Sequence, residues 1–131
     1  VFAAELAANG TLESIMVRYN AAPRGAETEI FPQLADMHPR PAVIGYTATR
    51  WTQLFRRPRG YPRDGRLPTP GMCYRFVMSN PAVNVCITAP GNETQFARNL
   101  AEIRRGPLNE EDVSLMHSFG DFVRGRRQYF M

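Results

Sequence analysis

The sequence predicts a parallel α/β protein, on three observations. Apolar residues switch along the chain between a spacing of two and a helical spacing, and strand-like stretches alternate with helix-like ones. The most apolar strand candidate is continuous rather than half-polar, as suits a strand covered on both faces. The composition agrees, since 131 residues with 44% hydrophobic and 21% charged side chains can bury one modest core, which sets aside disorder and fibres. No run approaches the ~20 apolar residues of a membrane-spanning helix, and the first residues carry no secretory pattern, so a cytoplasmic protein is expected.

The elements follow in order. A helix tail, Val1–Ala8, closes at Asn9-Gly10. Ser14–Asn20 is an apolar strand, a loop passes through Pro23 and Gly25, and a short helical stretch covers Glu27–Leu34. The continuous strand, Pro41–Ala48, opens the second unit. Phe55–Pro70 then holds four prolines, two glycines and six arginines or aspartates, a mixture that forms no regular element and is read as a surface loop insertion. Thr69-Pro70 starts a helix with a hydroxyl cap and a first-turn proline, and Ser79-Asn80-Pro81 ends it. In the third unit Val83, Val85 and Ile87 alternate with Asn84, Cys86 and Thr88 until Pro90-Gly91. Asn92 caps the next helix, with Phe96, Leu100 and Ile103 at helical spacing, and a last helix runs from Asn109 through Met116, Phe119 and Val123 to a basic tail.

Cys73 and Cys86 have no metal-type spacing and are read as buried thiols, and His38 and His117 as surface residues. All sixteen basic residues are arginine. Three parallel strands leave two bare sheet edges that need covering. The chain also starts at Val1 with no methionine before Met16, so further βα units are expected upstream, completing a barrel of roughly 250 residues.

Three stretches carry a family resemblance. Ile15–Ala22 (IMVRYNAA), Val43–Thr49 (VIGYTAT), and the run from Arg75–Pro81 through Val85–Ile87 to Asn92, Gln95 and Asn99-Leu100 resemble the last three βα units of aldo/keto reductases. The resemblance implies strands six to eight of a (β/α)8 TIM barrel plus a C-terminal helix, with residues 1–131 as the C-terminal portion of one barrel domain and 55–70 as an insertion. It further implies carbonyl reduction by hydride transfer from NADP(H), NAD(H) being the other option, with a small carbonyl compound as substrate.

Residue by residue, the resemblance places Tyr46 where the family stacks the nicotinamide, and Thr47, Ala48, Thr49 and Arg50 on the pyrophosphate loop. Ala48 and Arg50 depart from the family's proline and glycine. Arg50 reads either as a phosphate partner or as a solvated loop arginine. Pro90, Gly91 and Asn92 lie where a helix N-terminus favours an anion. Gln95 and Asn99 match positions for the ribose phosphate and adenine, though a capping box and an exposed amide explain them equally, and Arg98 is the nearest candidate for the 2′-phosphate. Ile15 and Met16 occupy the region of the family's carboxamide-binding glutamine, and Arg18 and Asn20 are expected to share one face of that strand.

The family's proton-donating tyrosine, lysine, aspartate and histidine belong to earlier strands, so no catalytic residue is expected here. Without lysine the chain alone is expected to be inactive. Two other readings stand beside this one. Arg56–Arg63, with Tyr61 among its arginines and a net charge of +4 behind it, could bind a polyanion such as RNA, although a solvated loop is the preferred account. A half-barrel could also cover its edges by pairing with a second copy.

Overall fold

The computed structural model describes Glu5 and residues 9–125; the rest of the expected helix tail and the basic tail lie outside the described residues. Among the described residues the elements follow in the order β1 (Ser14–Arg18), α1 (Ala26–Glu29), α2 (Phe31–Ala35), β2 (Ala42–Tyr46), α3 (Pro70–Ser79), β3 (Val85–Cys86), α4 (Glu93–Ile103) and α5 (Glu110–Gly125). The sheet is parallel throughout, in the order β1-β2-β3, so the three carboxyl ends share one rim.

Side-chain capping explains where α3, α4 and α5 begin. Thr69 Oγ1 accepts from Met72 N at 3.2 Å ahead of Pro70, Asn92 Oδ1 accepts from Gln95 N at 2.9 Å, and Asn109 Oδ1 accepts from Asp112 N at 2.8 Å. Gly10 has φ 68°, and Asn9 N donates to Glu5 O at 3.1 Å. The helical stretch expected at Glu27–Leu34 is two short helices, because Pro32 cannot extend a helix that began before it.

Register decides the two faces of the sheet. Ile15 pairs with Val43, Val17 with Gly45, and Gly45 with Cys86; all turn toward the helices. Met16 pairs with Ile44 and Ile44 with Val85, and these face the other way. On the helical side α3 presses close: a Cβ on Gly45 would stand 2.8 Å from Val77 Cγ1, and one on Gly71 would collide with Glu102 of α4. Phe76 meets Tyr19 at 5.7 Å and His117 of α5 at 5.5 Å. Gly120 lets α5 lie directly on the backbone of Ala21 and Ala22.

Several expectations need correction. The third strand is only Val85–Cys86; Val83 is buried beside Gly45 while Val85 and Ile87 are exposed on the opposite face, because Val83 closes a turn on Asn80 O instead of joining the ladder. Cys73 is buried as expected, but Cys86 is only half-buried. His38 is exposed, whereas His117 is half-buried against Phe76. The loop from Phe55 forms no regular element until α3, as expected, and specific contacts hold it. Arg57 donates to Pro62 O and Gly65 O, Tyr61 packs edge-on to Phe119 and Phe122 at 4.9 and 5.2 Å, and Arg66 pairs with Asp112 at 2.7 Å and Glu111 at 3.0 Å.

Candidate functional site

Two chain segments that leave the common rim line one groove together with the N-terminal half of α3, from Thr69 to Arg75. The turn after β2 supplies Thr49, Thr52, Phe55 and Arg56, and the β3–α4 junction with α4 supplies Pro90, Gln95, Arg98 and Asn99; the groove encloses about 830 Å³. Of the residues named from sequence, Thr49, Pro90, Gln95, Arg98 and Asn99 therefore meet in one place. Tyr46 is half-buried at the end of β2, on the same sheet face as Met16 and Ile44, and Thr47 follows it. Ala48 is buried.

Arg50 is 6% exposed, which corrects the reading of a solvated loop arginine. The cause is the backbone: Thr47, Arg50, Trp51 and Thr52 all have φ between 47° and 70°, a left-handed region that costs of order 1–2 kcal/mol for each residue with a Cβ. This path turns Trp51, 62% exposed, outward in place of Arg50. Strain of this kind in a short loop persists only when neighbouring contacts hold it. Here Asn20 Nδ2 donates to Thr47 O at 2.8 Å, and Arg50 N reaches the same carbonyl at 2.8 Å.

Asn20 is thereby accounted for. It is fully buried, beyond the end of the strand at Arg18, and its Oδ1 accepts from Ala22 N at 3.0 Å. Arg18 pairs in register with Tyr46.

The charges in the groove are unequal in availability. Arg66 is committed to Glu111 and Asp112, and Arg105 to Glu102 at 3.0 Å. Arg75 is buried, with Nε donating to Gly106 O and Nη2 to Pro107 O, each at 2.8 Å. Arg56 and Arg98 make no ion pair among the described residues, one on the loop and one on α4. At the start of α4, Asn92 and Gln95 act as caps: Gln95 Oε1 also accepts from Gly91 N at 2.8 Å, so part of the N-terminal donor set is already used. Asn99 is buried and donates to Thr88 Oγ1 at 3.3 Å, so it is not the exposed amide of the simpler reading.

Burial raises the pKa of both thiols, Cys73 to about 12 and Cys86 to about 11, so neither offers a thiolate near neutral pH. Among the described residues no group of three or more His, Cys, Asp or Glu is placed to hold a metal ion, and no helix is long and apolar enough to cross a membrane. Sequence reasoning missed Trp51 and read Arg56 only as part of a loop that could hold a polyanion. The signal for Trp51 was available, since it is the sole tryptophan and directly follows the rim loop.

No protein-family model and no curated protein matches the sequence. Among solved structures, the chain is similar to the aldo-keto reductase AKR11C1 from Bacillus halodurans in its holo form, with a TM-score of 0.67 and 18% identity, over 90% of this chain and 46% of that one. The apo form of the same protein gives a TM-score of 0.67 over 90% of this chain and 47% of that one. The chain thus spans about half the length of the structures it matches. Over nine-tenths of its length, with three parallel strands and their helices, it has the fold of part of an aldo-keto reductase.

Proposed function

We propose that this chain is the cofactor-gripping, C-terminal part of a cytoplasmic, NADP(H)-dependent aldo/keto reductase barrel. One observation carries the reading: the turn after β2 and the β3–α4 junction, which leave the sheet at its common carboxyl rim, line a single groove with cations to spare. Barrels often bind phosphate at this place, after the last two strands and beside a helix N-terminus.

The residues present fit such a nucleotide. Arg98 and Arg56 neutralise its phosphates from two sides, Thr49 and Pro90 line the groove between them, and Asn99 closes the inner wall. Tyr46 presents a ring on the open sheet face, where it would fix which side of a nicotinamide is exposed. The cofactor, when bound, supplies the hydride. The chain supplies binding and orientation but not the proton, for it has no lysine to assist a tyrosine.

Titration of the chain with NADPH, followed by nucleotide fluorescence, tests this reading. Saturable binding is expected, weakened at least about tenfold by Arg98→Ala, with a smaller loss for NADH. Equal loss for both nucleotides would remove the 2′-phosphate assignment, and the absence of binding would remove the cofactor reading. No carbonyl reduction is expected from the purified chain.

A further inference from the structure

The open face of the sheet ends at an arginine that the groove does not use. Arg18 is the last residue of β1, lies beside Tyr46 in register, and is half-buried; its Nε is shielded from solvent yet has no hydrogen-bond partner among the described residues. Its guanidinium lies 5.4 Å from the centre of the Trp51 ring, which the left-handed turn at residues 50–52 holds over it. Thr47, next along from Tyr46, contributes a second buried and unpartnered polar atom, Oγ1. Arg18 Nε, near the exposed Trp51 ring, and Thr47 Oγ1, one residue beyond the register partner of Arg18, are thus two polar atoms without partners among the described residues at the end of the neighbouring strands β1 and β2.

We propose that this corner is a carboxylate subsite, in which Arg18 and Thr47 receive the acid group of an anionic carbonyl substrate beneath Trp51. As a substrate assignment it rests on the cofactor reading above, because Tyr46 then brings the reactive ring to the same face. The chemistry selects the ligand. A guanidinium is permanently charged, and holding it partly out of water without a counterion is costly, so its complement carries negative charge. A neutral acceptor, such as the carboxamide of a nicotinamide, would satisfy Nε but leave the charge unbalanced. A single guanidinium matches a monoanion, and its planar fork matches the two oxygens of a carboxylate. The indole, within cation–π range at 5.4 Å, favours the guanidinium's charge and shields part of it from water.

Trp51 is the sole tryptophan, so its emission reports on this corner in the complete chain. Benzoate, titrated at constant ionic strength, is expected to change that emission saturably, while benzamide, its neutral counterpart, gives none. Arg18→Gln is expected to weaken benzoate at least about tenfold while keeping the NADPH affinity within about twofold. Arg18→Lys, which keeps charge but not the fork, falls between, and matching circular dichroism and melting profiles show that both variants fold. An equal benzoate response in Arg18→Gln, or benzamide binding as tightly as benzoate, overturns the proposal. So does a tenfold loss of NADPH affinity in Arg18→Gln, which would assign the arginine to the cofactor. Benzoate binding that depends on Arg18 in a chain that does not bind NADPH upholds the carboxylate site and removes the cofactor reading alone.

Discussion

The two faces of the sheet are made from similar residues and have opposite fates. On the helical face, Val17 and Val43 are buried and Gly45 has no room for a side chain beside Val77. On the other face, Met16 is 60% exposed and Val85 and Ile87 are exposed with it. Apolar content alone therefore does not say which face is finished; the helices that follow each strand cover one side only. The finished face supplies stability, while the open one carries Tyr46 and Arg18 and is free for ligands or neighbours.

The sharpest test of the finished side is Gly120→Val. A side chain there collides with the Ala21 carbonyl, so a loss of about 3 kcal/mol or more is expected by urea unfolding. A Gly120→Val chain of unchanged stability would mean that α5 does not lie on the loop after β1. A matched pair of methionines compares the two sides directly. Met116→Ala, at a position 0% exposed, is expected to cost about 2–5 kcal/mol. Met16→Ala, at a position 60% exposed, should stay within about 0.5 kcal/mol. Equal costs would show that the open face is covered in solution, and sedimentation would then reveal whether a second copy covers it.

Alkaline pH should weaken the finished side selectively. Burial holds Cys73 at about 12 and Cys86 at about 11, above the 9.0 of a free thiol, and pushes Tyr19 up as well. The unfolded chain therefore releases these protons first, so stability is complete below pH 9 and falls as pH rises from about 9 to 12. Unfolding midpoints across that window check it, and Cys73→Ala should flatten the slope; an unchanged slope would place the thiol in water. The smallest effect is expected at the open edge, where Val85→Lys should leave the melting temperature nearly unchanged while lowering aggregation measured by light scattering.

Local chemistry was legible where it is written in neighbouring residues. Thr69-Pro70, Asn92 with Gln95, and Asn109 mark helix starts by side chains that bond backbone groups three positions away, so each needed no tertiary partner to be read. The parallel order was legible for a similar reason, because alternating strand and helix patterns leave few other ways to connect. The resemblance picked out Thr49, Pro90, Gln95, Arg98 and Asn99, and the groove brings these five together.

Other features were settled only by packing in three dimensions. Arg50 and Trp51 exchange the inside and outside positions because a left-handed turn, held by Asn20, overrides their polarity. Val83 leaves the alternation of its strand because a turn bond to Asn80 claims its N–H. The arginines show the limit most clearly: sixteen identical side chains differ in sequence only by neighbours, yet Arg57, Arg66 and Arg75 are spent on carbonyls and carboxylates while Arg56, Arg98 and the Nε of Arg18 are not. A charge becomes available or committed according to what lies within a few ångströms, and for these residues most of those neighbours are brought close by the fold.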